Sequence, residues 1–195
     1  MLAGGAASRY GGSPKGLLEV GGRRILDRVT DAVAAAVGAA PLLVANAPDA
    51  GLWVPGLRCI PDARTGLGSL GGIYTAVCDG PDPVLCVAWD MPFISEALLR
   101  TLLAGSDAFD AFLPESGGRR GLEPLCAVYG PACRAPIEQA IAHNDLRAIA
   151  FHDAVRVGTH SLDRVRAFGD PETLFFNVNR PEDLEQAEAL WRRRA

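Results

Sequence analysis

Short apolar runs rich in Val, Leu and Ile, each about one strand long, alternate along this chain with stretches whose apolar residues recur every three to four positions. That rhythm limits the fold more than any other feature. The runs at 17–20, 42–45, 57–60, 84–88, 111–113, 125–129 and 175–178 read as strands. Residues 25–36, 70–78, 131–143, 181–193 and a stretch carrying Leu98, Leu99, Leu102 and Leu103 read as helices. Ile25, Val29, Val33 and Val37 share one helical face, which Gly38 ends. The Ser95 hydroxyl is placed to satisfy a free N–H at a helix start, and Pro131 suits a first helical turn. Apolar strands covered by helices on both faces predict an α/β three-layer sandwich with a mostly parallel, Rossmann-like central sheet. No repeat or linker divides the chain, so residues 1–195 are expected to form a single domain. Residues 1–3 are too few for a full first strand; either further residues precede Met1 or that strand is abbreviated.

Ligands of such sheets bind beyond the carboxyl ends of the strands, so the chemistry is sought in the loops that follow them. The first loop carries Gly4-Gly5, Arg9, Gly11-Gly12 and Lys15. Glycines let consecutive backbone N–H groups turn towards an anion, and the two cations add charge for phosphate oxygens. Of the chain's nineteen basic residues Lys15 is the only lysine, and it falls in this loop. The spacing is neither G-x-x-x-x-G-K-[ST] nor G-x-G-x-x-G. Asp90 directly follows the apolar run 84–88, with Pro92 preventing a return to strand; a hard oxygen there suits Mg²⁺ held mainly by phosphates. Asp62 follows the run 57–60 and precedes the glycine-rich stretch 66–73. Each of these aspartates also suits a solvated turn. Asn46 ends the run 42–45, where its amide would hydrogen-bond a base. Asn177 and Asn179, two apart on an expected strand, would project to one face.

Other features exclude function classes. A net charge of −4 argues against binding nucleic acid through its phosphate backbone. The apolar runs fall far short of the ~20 residues needed to span a bilayer, and no signal-like segment precedes Gly4-Gly5, so a soluble, cytoplasmic protein without membrane contact is expected. Five cysteines, an odd number with no C-x-x-C pair, read as reduced structural thiols. His143, His152 and His160 lack metal-ligand spacing and read as surface residues. The arginines of Trp191-Arg192-Arg193-Arg194 complement a helix dipole and require no partner.

The opening Leu-Ala-Gly-Gly-x-x-x-Arg-x-Gly-Gly-x-x-Lys-Gly-Leu resembles that of the molybdenum cofactor guanylyltransferases, the MobA type within the nucleotidyltransferases, with Tyr10 where methionine is usual. Asp90-Met91-Pro92-Phe93 resembles the family's metal-binding aspartate motif, although Trp89 stands where smaller residues are usual. The glycine-rich stretch 66–73 resembles its G-P-L-A-G segment, with Ser69 for proline and Gly71 for alanine. Phe175-Phe176-Asn177-Val178-Asn179-Arg180-Pro181-Glu182-Asp183-Leu184 resembles its F-F-N-x-N-T-P-E-D-L block, with Arg180 for threonine. Glu123-Pro124-Leu125 resembles the acceptor-side histidine-proline segment, with glutamate for histidine, and so carries no catalytic expectation.

The resemblance implies GMP transfer from GTP to molybdenum-bound molybdopterin, releasing pyrophosphate, with Mg²⁺ on Asp90. It further implies that Leu2, Ala3, Gly4, Gly5, Lys15, Asn46, Asp62 and Asp90 hold the nucleotide. Arg9, Lys15 and Asp90 would carry the reaction, and Asn177 and Asn179 would hold the pterin. Cofactor-synthesis proteins and recipient molybdoenzymes would be transient partners. Cytidylyl transfer to the same pterin, or a catalytically silent nucleotide-binding module, are the alternatives.

Overall fold

The computed structural model describes residues 1–3, 14–118 and 121–194. After a 3-10 turn at Lys15–Leu17, β1 (Glu19–Val20) and β2 (Arg23–Arg24) form a hairpin. Its two central residues, Gly21 and Gly22, have φ of 58° and 69°, the pair of positive values a type I′ turn requires. There follow α1 (Ile25–Val37), β3 (Leu43–Val44), β4 (Cys59–Ile60), α2 (Gly68–Cys78), β5 (Val84–Val87), α3 (Glu96–Gly105), β6 (Ala111–Pro114) and β7 (Cys126–Tyr129). The rest of the chain forms α4 (Arg134–Ala142), β8 (Val157–His160), α5 (Leu162–Val165), α6 (Pro171–Leu174) and α7 (Pro181–Arg194).

Two ladders are joined by the first residues. β3 pairs in parallel with β4, while the second ladder runs in the order β5-β7-β6-β8. Between them Leu2 bridges in parallel to Val44 on one side and to Ala88 on the other. Leu2 N–H donates to Val87 O at 2.8 Å, and Ala3 N–H to Val44 O at 2.8 Å. Residues 1–3 thus occupy the place of a central strand, in register with both neighbours. β7 runs antiparallel to both β5 and β6, whereas β6 and β8 are parallel. The sheet is therefore mixed, and only β7 opposes the common direction.

Side chains alternate between two cores. Leu85 and Val87 pack on one face with Ile25 and Val29 of α1, Leu98 of α3 and Ala187 of α7. Cys86 points the other way, to Leu70 and Ile73 of α2 and Ile137 of α4. This period of two on the strands, set against helical faces, makes the three layers. As expected, Ser95 Oγ accepts from Leu98 N–H, and Gly38, in the left-handed region at φ 78°, closes α1.

The sequence reading differs from the structure in several places, β2, α5 and α6 among the elements it did not expect. Residues 17–20 are not one strand, because Leu17 N–H and Leu18 N–H turn back to Pro14 O and Lys15 O. Residues 175–178 are not a strand either: Phe175 and Phe176 N–H groups return to the preceding helical turn, leaving Val178 N–H to bond Asp90 O at 3.0 Å. β8 was not expected, its apolar run being interrupted by Gly158 and ended by His160. His160 is buried and His152 half-buried rather than exposed, and burial lowers the pKa of both. The cysteines are free thiols, and burial pushes Cys86 up to about 12.

Candidate active site

The direction of chain progression across the sheet reverses beside residues 1–3: β3 and β4 lie to one side, β5 and the rest to the other. A reversal of this kind opens a crevice at the carboxyl ends of the strands. Here it holds a cavity of about 400 Å³ lined by residues that include Leu2, Lys15, Asp62, Asp90, Asn177 and Asn179. Segments far apart in sequence supply them. Asp90 follows β5, Asp62 follows β4, Lys15 opens the 3-10 turn, and the asparagines lead into α7.

Lys15 is the hub. Its Nζ donates to Asp90 Oδ2 at 2.9 Å and to Asn179 Oδ1 at 2.8 Å. The ion pair is mostly shielded, the Lys15 and Asp90 side chains being 13% and 9% exposed. Asn179 is free to face the lysine because another residue caps the helix. Asp183, in the first turn of α7, reaches back to accept from the N–H groups of both Asn179 and Arg180 at 2.8 Å. This is half of a capping box, with Arg180 in the cap position. Asn177 Nδ2 donates to Phe175 O at 2.8 Å, which steadies the turn. The two asparagines share the cavity as the sequence suggested, though on an irregular segment rather than a strand.

Other expected residues take different places. Asn46 and Asp62 bond each other reciprocally: Asn46 Nδ2 donates to Asp62 Oδ2 at 2.7 Å, and Asp62 N–H donates to Asn46 Oδ1 at 2.9 Å. The Asn46 amide is thus engaged in fixing Asp62, which itself lines the cavity. Ala3 is buried and braces the sheet. Gly4, Gly5 and Arg9 lie outside the described residues. Gly68, Ser69 and Gly72 of α2 form one cavity wall, small enough to admit a ligand against the helix start. Asp183 was missed by sequence reasoning, although an acidic residue three positions after Arg180 was its available signal.

A second hollow of about 370 Å³ adjoins the first through Ser69 and Leu125, and continues to Ser116, Glu123 and Ala148. Among the described residues no three His, Cys, Asp or Glu side chains form a metal-holding group. Two carboxylates, Asp62 and Asp90, line the cavity. That donor set fits Mg²⁺, which keeps few protein ligands and takes the remainder from phosphates and water. A shielded cation beside a carboxylate, at the switch point of a mostly parallel sheet, is the equipment of a nucleotidyltransferase.

Comparison with known proteins agrees. Residues 1–157 match the model of the MobA-like NTP transferase domain, and the chain belongs to that family. It is 38% identical over 191 residues to a probable molybdenum cofactor guanylyltransferase of Pelotomaculum thermopropionicum, covering 97% of this chain and 91% of that one. It is 36% identical over 192 residues to a molybdenum cofactor guanylyltransferase of Desulfosudis oleivorans, covering 97% and 93%. Among solved structures, molybdopterin-guanine dinucleotide biosynthesis protein A of Archaeoglobus fulgidus superposes with a TM-score of 0.81 at 25% identity, covering 98% and 97% of the two chains. No helix among the described residues is long and apolar enough to cross a membrane.

Proposed function

We propose that the chain transfers GMP from GTP to the terminal phosphate of molybdenum-bound molybdopterin, releasing pyrophosphate. The observation that carries this reading is the meeting of Lys15, Asp90 and Asn179 in one cavity, joined by bonds of 2.8 and 2.9 Å across 75 and 164 residues of sequence. The relatives named as guanylyltransferases supply the choice of guanine and pterin.

In this reading the triphosphate lies over the start of α2, where Gly68 and Ser69 leave room. Lys15 exchanges its bond with Asp90 for phosphate oxygens and neutralises charge that moves onto the departing pyrophosphate. Bound Mg²⁺ would be held by Asp90, with Asp62 in reach of the same cavity, and would supply Lewis-acid neutralisation of the phosphates. Asn177 and Asn179 orient the acceptor phosphate, whose oxygen attacks the α-phosphorus in line. One P–O bond forms there as the bond to the β-phosphate breaks. The pterin itself extends into the adjoining hollow. Covalent work by the protein is small, and positioning with charge neutralisation provides the rate. Residues 1–195 act as one domain, in the cytoplasm where GTP is supplied, with brief contacts to cofactor-synthesis proteins and recipient molybdoenzymes.

Calorimetry with GTP, CTP and ATP in the presence of Mg²⁺ tests the reading. GTP should bind most tightly. A preference for CTP would convert the assignment to cytidylyl transfer, and binding of none of the three would remove the nucleotide altogether.

A further inference from the structure

Trp89 immediately precedes Asp90 and is buried, at 4% exposed. Its backbone N–H donates to Leu2 O at 3.2 Å, tying it to the central strand position. Its indole stacks on that of Trp53, with centroids 5.0 Å apart and planes 17° from parallel. Trp53 is in turn held by its own ring N–H, which donates to Asp49 Oδ2 at 3.0 Å. The Lys15-Gly16 turn rests on the Trp89 ring. A Cβ built on Gly16 would fall within contact distance of Trp89 Cε3, and 2.8 and 2.9 Å from the ring neighbours Cδ2 and Cζ3. Near-equal distances to both neighbours place Gly16 over the ring face, since an edge-on approach would put them much farther away than Cε3. Only glycine fits at that separation.

We propose that Trp89 is a positioning residue for Lys15: stacked on Trp53, it is the floor on which the Lys15-Gly16 turn sits, and it fixes where the lysine amine meets phosphate. The inference rests on reading the cavity as the triphosphate site. Without ligand the amine is held by Asp90 and Asn179, but both bonds are candidates for exchange when phosphates arrive. The seat of the turn then governs the reach of a long, flexible side chain. A flat ring with few torsions, locked by a second ring, serves that purpose where an aliphatic side chain would let the turn sink. Because Trp89 and Asp90 are adjacent, the same anchor sets the lysine and the aspartate relative to each other.

The test compares Trp89→Phe, which keeps a flat face under Gly16, with Trp89→Leu, which does not. GTP affinity with Mg²⁺ is measured by calorimetry on folded protein, alongside KM, kcat and thermal denaturation. Trp89→Leu should bind GTP at least about tenfold more weakly, in line with the cost of ångström-scale misplacement. Trp89→Phe should recover most of that loss, even where the two variants are equally destabilised. A second readout needs no turnover. In a Trp191→Phe background, GTP should change the emission of the Trp53–Trp89 pair, and Trp89→Phe should abolish the change. Loss of thermal stability with unchanged affinity per folded molecule would overturn the proposal and leave Trp89 as core packing only. Should Trp89→Leu not fold, Trp53→Leu withdraws the supporting ring without touching the cavity; weaker GTP binding supports the proposal and unaltered binding overturns it. Absence of nucleotide binding by the unmodified chain would overturn the cavity reading and this inference together, whereas normal binding by both leucine variants would overturn the inference alone.

Discussion

Replacing Lys15 with methionine keeps the unbranched apolar stem of the side chain and removes the charged amine. Two consequences of opposite kind follow from the 2.9 Å bond to Asp90 and the 2.8 Å bond to Asn179. In the free protein Asp90 loses its counter-charge at a place where its side chain is only 9% exposed. Leaving a shielded charged group without its partner costs about 1–3 kcal/mol or more. At roughly 2–4 °C per kcal/mol for a domain of this size, Lys15→Met should lower the melting temperature by about 2–12 °C. Adding Asp90→Asn removes the stranded charge, so the double variant should regain part of that loss. On the ligand side, a charge-assisted hydrogen bond to phosphate is worth about 1.5–3 kcal/mol, or roughly 10- to 150-fold in affinity. Because the lysine gives up existing bonds to make the new ones, the lower half of that range is expected. Calorimetry with GTP and Mg²⁺, run beside thermal denaturation, reads both effects: stability should be partly rescued in the double variant while GTP binding is not. If Lys15→Met binds GTP within twofold of the unmodified chain, the lysine is a structural cation and the phosphate argument fails.

Asn179→Ala frees the lysine from a bond it gives up to phosphate, so GTP should bind slightly more tightly while acceptor binding weakens; Asn177→Ala should affect the acceptor chiefly. Equal effects of the two variants on both ligands, measured by titration, would count against this division. Asp183→Ala deletes the acceptor shared by the Asn179 and Arg180 N–H groups. A lost cap costs about 0.5–2 kcal/mol, so melting should shift down by a few degrees with an added rise in KM for the acceptor. Stability unchanged within error would show that water replaces the carboxylate at no cost. Far from the cavity, Arg156 holds the Asp110 carboxyl down at about 2. A depressed pKa in the folded state adds stability above the ordinary carboxylate range, and that stability is lost as pH falls through about 4 towards 2. Asp110→Asn should therefore be less stable than the unmodified chain at neutral pH, and the gap should narrow in acid denaturation series at low pH. A gap independent of pH would mean that the ion pair contributes nothing through its charge.

The rhythm of apolar runs was enough to foresee the layers, most strands and the edge at which ligands bind, because burial on both faces leaves a direct mark on composition. Lys15, Asp90 and the two asparagines were legible for a different reason: Lys15 stands between Pro14 and Gly16, a proline lies two residues after Asp90 and after Asn179, and Asn177 is two residues from Asn179. What stayed hidden depends on partners remote in sequence. The engagement of Asn46 with Asp62 requires β3 and β4 to be neighbours, which neither segment announces. The segment 175–178 has apolar residues suited to a strand, yet its N–H groups are taken by the preceding turn and by Asp90, so no ladder forms. β8 carries only one strongly apolar side chain in four, and burial of His160 depends on packing of the segment that follows it. The resemblance pointed to Trp89 as an oddity; its contact with Gly16 became visible only in three dimensions.

The last helix ends where the chain almost begins. Trp191 lies against Gly21 in the β1–β2 turn and Arg28 stacks over its ring, while Glu188 accepts from Gly21 N–H. The other end of the same helix presents Asn179 to Lys15. A chain cut before Asn179 therefore lacks both the clamp on the hairpin and the Asn179 bond to the lysine. Such a fragment would hold most of the sheet and yet only one of the two bonds that place the lysine, so one helix couples the hairpin to the cavity.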